Sequence, residues 1–271
     1  MTVALAAAVV GAPGARAGEA ACRTDQGALV VTAKADGLIG EFILDTGLAR
    51  TVIDATQASE AGLAAPTRIP VRFAGATHWV VADVAPLDAR TRNFATPITG
   101  VLGSDVLSGR VVDIDAWPCR VVIRAHGRAG GGNAGRLRVT LDGGVPVVSG
   151  AVSDGARAEP ARFRIDTGSP LSVMFNATAA QTQPLGAAGR GSLRALSLGP
   201  FLEQDLDAGV ASGPSKPDFA SLGWPLLARY RLSLDYRRGL LTLTPRRVGL
   251  PPGFAAGVSS AKLGGGAQPD E

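Results

Sequence analysis

The feature that most constrains this chain is a segment that occurs twice, about 120 residues apart. The stretch GEFILDTGLARTVI at 40–53 is matched by ARFRIDTGSPLSVM at 161–174, so Asp45 and Asp166 lie 121 positions apart. A second landmark, the Leu-Gly pair that ends at Gly103, recurs at Gly223, 120 positions later. Spacings that agree to within one residue indicate two homologous lobes of about 110 residues each. A repeat of this length is too long to be the period of a solenoid.

Composition favours an all-β fold for both lobes. Of 271 residues, 46% are hydrophobic and 18% charged, which excludes a disordered chain, and the 36 glycines and 18 prolines are typical of many turns and short strands. Apolar segments at 28–35 and 38–44 flank Asp36-Gly37, a two-residue hairpin signal. Each repeat is therefore predicted to open with a hairpin that leads into the D-T-G and to end with a closing hairpin. Helix-like stretches follow the motif from Ala55 and, more weakly, from Asn176.

The ends of the chain and its middle differ in composition from the two repeats. The predicted organisation is a signal peptide or disordered leader (1–21), an N-terminal lobe (22–125), a Gly-rich linker (126–135), a C-terminal lobe (136–247) and a disordered tail (248–271). The leader has a short apolar stretch and then Ala15-Arg16-Ala17, which is typical of a secretory cleavage site. This favours export, to the periplasm or outside the cell, over a cytoplasmic protein with an Ala/Gly-rich leader. Export would favour a disulfide between Cys22 and Cys119, and the alternative is two buried thiols.

Charge and residue counts exclude several classes of function. The net charge of +4 is spread along the chain without a basic run, so no nucleic-acid partner is expected. With two histidines, two cysteines and no cluster of them, we expect no metal site and no cofactor. The apolar stretch of the leader is too short to span a bilayer. The chemistry must therefore depend on carboxylates.

Each D-T-G places an aspartate at the end of a largely buried strand. A buried carboxylate is costly without partners, and the repeat offers each one its counterpart from the other lobe, together with a shared water. Two adjacent carboxylates do not both ionise easily, so one keeps a proton and serves as general acid while the other serves as general base. A threonine hydroxyl next to each aspartate can fix the loop, and a glycine lets a backbone N–H approach the carboxylate.

On these residues the chain resembles the aspartic proteases, and the short retropepsin-like lobes of bacterial members more than the longer pepsins. The resemblance covers 42–123 and 163–243 and implies a bilobal all-β fold of two β-barrel-like lobes with short helices. It implies an endopeptidase that binds an extended peptide or protein between the lobes, needs no cofactor and acts as a monomer, because one chain holds both aspartates. The residues that match the family's motifs are the dyad Asp45 and Asp166, the clasping threonines Thr46 and Thr167, the loop glycines Gly47 and Gly168, and the packing glycines Gly103 and Gly223.

The two repeats differ directly after the motif. Pepsins carry a hydroxyl residue there, and this chain has Ser169 in the second repeat but Leu48 in the first. Because a donor favours the charged form of its acceptor, we expect Asp166 to be the base and Asp45 the acid.

The chain also lacks a flap tyrosine of the pepsin type, since both tyrosines lie in the closing hairpin of the second repeat. We expect His78 and Trp79 to form a flap tip over the cleft. The alternative is that Trp79 is an ordinary strand residue of a surface hairpin.

Two other functions fit parts of the pattern. A catalytically inactive peptide-binding or inhibitory protein would use the same fold without cleaving its ligand. A β-barrel that binds small molecules would use D-T-G only as turns, which does not explain an aspartate at both ends of the repeat spacing. Replacement of either aspartate by asparagine separates the three functions, because only the enzyme needs both carboxylates.

Overall fold

A computed structural model describes residues 18–126, 135–153, 155, 157–176, 190–210 and 219–246. Of these residues, 62% are in strands and 9% in helices, which confirms the predicted all-β class. The first half of the described chain contains β1 (Gly18–Asp25), β2 (Ala28–Ala35), β3 (Leu38–Leu44), β4 (Val52–Asp54), α1 (Ala55–Glu60), β5 (Thr67–Phe73), β6 (Ala76–Ala85), α2 (Asp88–Thr91), β7 (Ile98–Leu102), α3 (Ser104–Leu107), β8 (Val111–Ala116) and β9 (Cys119–Arg124). The second half contains β10 (Gly135–Arg138), β11 (Thr140–Asp142), β12 (Val145–Ser153), β13 (Ala158–Asp166), β14 (Val173–Phe175), β15 (Arg190–Leu198), β16 (Phe201–Val210), β17 (Phe219–Gly223), α4 (Trp224–Leu227), β18 (Tyr230–Asp235) and β19 (Leu240–Pro245).

Each half contains a closed barrel of six strands, and the two barrels have the same strand order. In the first, β2-β3-β7-β4-β6-β5 closes by pairing β5 with β2, and in the second, β12-β13-β17-β14-β16-β15 closes by pairing β15 with β12. In both, the strand that enters the D-T-G pairs in parallel with the strand of the Leu-Gly segment. The repeat in the sequence is thus also a repeat in the fold.

A six-stranded sheet, β10-β19-β18-β8-β9-β1, joins the two barrels. The closing hairpins β8–β9 and β18–β19 meet at its centre, where β18 pairs antiparallel with β8 and Leu232 lies opposite Ile114. A disulfide between Cys22 and Cys119 links β1 to β9. We call this sheet the shared sheet, because each half of the chain contributes three of its strands.

The hairpin at the start of the first barrel shows why local pattern predicts this fold well. In β2 and β3, Leu29 and Phe42 are fully buried, and the turn between the strands uses Asp36 at φ 44° and Gly37 at φ 95°. Two successive positive φ values are the requirement of a type I′ turn, which aspartate and glycine tolerate. In the second lobe, Phe163 of β13 is likewise fully buried and lies opposite Val148 of β12, as Phe42 lies opposite Val31.

The structure moves one predicted boundary. Strand β1 begins at Gly18, inside the predicted leader 1–21, because its backbone pairs with β2 on one side and β9 on the other. Most of the leader, most of the linker, the helix-like stretch after Asn176 and the C-terminal tail lie outside the described residues. Within the described ranges, no helix is long and apolar enough to cross a membrane.

Candidate functional site

The two D-T-G loops meet between the barrels and are joined by reciprocal threonine bonds. The backbone N–H of Thr46 donates to the hydroxyl of Thr167 at 3.2 Å, and the N–H of Thr167 donates to the hydroxyl of Thr46 at 3.3 Å. Each hydroxyl also donates across the interface at 2.5 Å, Thr46 to the carbonyl of Ile165 and Thr167 to that of Leu44. Both threonines are buried, so these bonds fix the loops without competition from water.

The glycine of each loop lies against the aspartate of the other loop. A Cβ atom on Gly47 would come within 2.7 Å of Asp166 Cγ, and one on Gly168 within 2.5 Å of Asp45 Oδ2. Within its own loop, each glycine N–H donates to an aspartate Oδ1, at 2.9 Å for Asp45 and 3.1 Å for Asp166. Residues larger than glycine would therefore push the carboxylates apart.

The two carboxyl groups are close enough to share a hydrogen bond, but their surroundings differ. Burial, together with the negative charge of Asp45, raises the pKa of Asp166 to about 8 against the opposing charge of Arg90. Asp45 instead forms an ion pair with Arg90, whose Nη2 donates to Asp45 Oδ2 at 2.7 Å. The arrangement therefore favours a protonated Asp166 beside an ionised Asp45.

The Leu-Gly segments support both loops from below in the same way. Ser104 N–H donates to the carbonyl of Leu48 at 2.7 Å, and Trp224 N–H donates to the carbonyl of Ser169 at 3.1 Å. A Cβ on Gly103 would come within 2.9 Å of Leu48 O, and one on Gly223 within 2.9 Å of Ser169 O. Small residues are therefore required where these segments cross beneath the loops.

A buried tyrosine of the second half also supports the first loop. The hydroxyls of Ser104 and Tyr236 lie 3.1 Å apart, and Ser104 donates to the carbonyl of Thr46 at 2.7 Å. Tyr236 lies just after β18, so the shared sheet contacts the D-T-G loop through this chain of bonds. The sequence predicted a closing hairpin around Tyr236 but not this contact with the loop.

The expected hydrogen bond from Ser169 to Asp166 is not present. The hydroxyl of Ser169 points to the carbonyl of Leu171 at 3.5 Å, and the hydroxyl bonded to Asp166 belongs to Ser221 in β17. Burial of Asp166 and the ion pair of Arg90 with Asp45 favour the proton on Asp166, which is the opposite of the expected distribution. Ser221 was not predicted as a partner of Asp166, because nothing in its local sequence shows that β17 faces the second D-T-G loop.

The predicted flap residues lie in β6, which forms a hairpin with β5. The turn of this hairpin, Ala74-Gly75, packs against β1, where a Cβ on Gly18 would overlap the carbonyl of Ala74. His78 is partly buried, and burial together with the charge of Arg110 lowers its pKa. Trp79 is 60% exposed and lies 5.2 Å from the guanidinium carbon of Arg68.

The residue that reaches the dyad from outside the motifs is Arg90, in α2. Its Nη2 also lies 3.2 Å from the carbonyl oxygen of Gly168, so one side chain touches both D-T-G loops. Arg90 was not predicted as a site residue, because α2 belongs to a polar segment between β6 and β7 that carries no motif.

Among the residues that the structure describes, no group of three or more histidine, cysteine, aspartate or glutamate side chains is arranged to hold a metal ion. The polar groups around the dyad are instead backbone amides, hydroxyls and one guanidinium. No model of a known protein family matches this chain, and a search of curated proteins gave no match.

Proposed function

We propose that this protein is an aspartic endopeptidase of the pepsin and retropepsin type, with Asp45 and Asp166 as its catalytic dyad. The observation that carries the proposal is the meeting of two repeated D-T-G loops, whose carboxyl groups lie close enough to interact directly and whose threonines bond reciprocally. Two turns without a catalytic role would not require this symmetry between halves 121 residues apart. The barrels and the shared sheet support a bilobal protease fold with a cleft between the lobes.

In the proposed mechanism the two aspartates have different tasks. Asp45, ionised, takes a proton from a water held at the dyad, and that water attacks the carbonyl carbon of the peptide bond. Asp166, protonated, donates its proton to the carbonyl oxygen as negative charge develops there. Asp45 then passes the proton that it took from water to the amide nitrogen, and the C–N bond breaks to release the amine. Asp166 recovers a proton from a hydroxyl of the tetrahedral carbon as the new carboxyl group forms, so both aspartates return to their starting states. The amide N–H groups of Gly47 and Gly168 hold the carboxylates in place during the reaction.

The disulfide supports a further part of the proposal. Disulfides persist in oxidising compartments and are rare in the cytoplasm, so Cys22–Cys119 favours an exported protein. The extended peptide substrate and the monomeric state remain predictions of the same proposal.

A second candidate function is supported by Arg90. A guanidinium that occupies one oxygen of Asp45 is also what an inactive peptide-binding protein would show, since such a protein has no need of a free carboxylate. The two functions differ in one outcome, which is whether the chain cleaves a bound peptide.

The test is cleavage of a mixed peptide pool across about pH 3 to 8, read by mass spectrometry. We expect cleavage by the wild type and none by Asp45→Asn or Asp166→Asn. Asp36→Asn is the matched control, because Asp36 is an exposed turn residue whose φ of 44° asparagine also adopts. Peptides that bind but stay intact at every pH would support the inactive binding protein, and equal cleavage by wild type and both dyad variants would refute the proposed mechanism.

A further inference from the structure

Arg90 occupies the open side of the dyad. The opposite side is filled by the buried threonines and by Ser104, whereas the Arg90 side chain is 38% exposed beside an Asp45 side chain that is 7% exposed. Its Nη2 contacts Asp45 Oδ2 and the carbonyl of Gly168 together. A peptide that approaches Asp45 Oδ2 from solvent therefore meets this guanidinium.

The backbone beneath Arg90 is held in place by a buried carboxylate. Asp54 Oδ1 accepts the N–H groups that begin α1, and its Oδ2 accepts the N–H of Leu87 at 3.0 Å. The carbonyl of Leu87 in turn accepts the N–H of Arg90 at 2.8 Å. Arg90 therefore has a fixed backbone and a long side chain, and its contacts with both D-T-G loops use one nitrogen. A rotation of the side chain releases Asp45 without any movement of the fold.

Charge decides what makes this release favourable. While Arg90 is paired with Asp45, its Nη2 occupies Asp45 Oδ2, which is then not available to water. Release alone would leave a partly buried cation without a partner, which is unfavourable. A carboxylate supplied by the substrate would take over the guanidinium with bonds of the same type, and Asp45 would then be free to activate water.

We propose that Arg90 determines substrate specificity, by selecting peptides with a carboxylate next to the scissile bond and passing from Asp45 to that carboxylate as the peptide binds. This inference depends on the proposed peptidase function. The carboxylate has two sources, an internal Asp or Glu side chain and the free C-terminus of a short peptide, and both present the same chemistry to a guanidinium.

The experiment compares peptide pairs that differ only by Asp against Asn in the residues flanking the scissile bond. For the wild type we expect kcat/KM to be about tenfold higher for the acidic member, which is the size expected of one partly exposed charge-assisted bond. Arg90→Gln should lose this preference, and Arg90→Lys should keep part of it. Arg50→Gln is the matched control, because Arg50 pairs with Asp83 through exposed side chains. A second set of peptide pairs has a C-terminus directly after the scissile bond that is either free or amidated. A preference for the free C-terminus would identify the terminal carboxylate as the source, and a preference for the internal Asp would identify the side chain.

A second readout keeps this inference separate from the proposed function. Fluorescence anisotropy of labelled peptides measures binding to Asp166→Asn, with and without Arg90→Gln, and circular dichroism checks that each variant folds. Equal kcat/KM for the Asp and Asn peptides in the wild type, or an acidic preference that survives Arg90→Gln, would overturn the role of Arg90. Absence of cleavage would refute the peptidase function alone, and the binding preference for the acidic peptide would then decide the role of Arg90.

Discussion

Replacement of Asp166 by asparagine should abolish activity and at the same time stabilise the protein at neutral pH. Asp166 is partly buried, and its pKa of about 8 lies above the value of 3.8 for a free aspartate. Between these two pH values the unfolded chain loses the proton while the folded protein keeps it. The folded state then binds more protons than the unfolded state, so the free energy of unfolding falls as the pH rises.

The size of this effect follows from the same two values. At pH 7 the unfolded carboxyl is about three pH units above its pKa, and at 1.36 kcal/mol per unit the cost of keeping Asp166 protonated is about 4 kcal/mol. Near pH 4 the cost is below about 1 kcal/mol, and it disappears well below pH 3.8, where both states hold the proton. Asparagine never ionises and still offers N–H donors to Asp45, so the variant avoids this cost.

The assay is urea unfolding of wild type and Asp166→Asn at pH 4 and pH 7, followed by circular dichroism. We expect the variant to gain several kcal/mol relative to wild type on going from pH 4 to pH 7. Asp45→Asn is the contrasting variant, because it removes the contribution of the Asp45 charge to the raised pKa of Asp166 but leaves burial, the larger cause, in place; we expect a smaller gain than for Asp166→Asn. A difference between Asp166→Asn and wild type that is the same at both pH values would refute the assignment of the proton to Asp166.

Two further predictions concern the framework around the dyad. Thr167→Val removes a hydroxyl that donates to Leu44 O and accepts from Thr46 N–H, so we expect a loss of about 2–4 kcal/mol in unfolding free energy together with a lower kcat. Thr167→Ser keeps the hydroxyl and should retain most of the stability and activity. A valine variant as active as wild type would contradict the role of these bonds. The double replacement Cys22→Ser with Cys119→Ser opens a covalent link between positions 97 residues apart and should cost about 2–5 kcal/mol in urea unfolding. A reducing agent should destabilise the wild type but not the double variant, and equal effects on both would show that another process is responsible.

The local structure around each D-T-G could be predicted because its signals are local. Strands β2 and β3 begin and end at the predicted residues, since apolar runs flank an Asp-Gly turn that tolerates positive φ at both positions. The helix from Ala55 was predicted as well, and Asp54 caps it. The equivalence of the two barrels followed from the spacing of the repeat.

Contacts between distant segments could not be predicted in this way. The pairing of β8 with β18 depends on two hairpins that have no common motif, and the pattern within each hairpin is satisfied before they meet. Arg90 and Ser221 approach the dyad only after the barrels close, so the sequence around each shows an ordinary polar residue. Ser169 shows the opposite error. Its position next to the motif predicted a hydrogen bond to Asp166, but the loop directs its hydroxyl to the carbonyl of Leu171.

The shared sheet has a consequence for when the proposed active site is formed. Its central pairing joins residues such as Ile114 and Leu232, and β19, the last strand that the structure describes, ends at Pro245. During synthesis the first barrel can fold while the second is still being made, but contacts at such sequence separation form late and slowly. The dyad is therefore assembled only once nearly the whole chain is present. The proposed peptidase therefore has no complete active site until its second half has folded, which protects its own unfolded chain from cleavage.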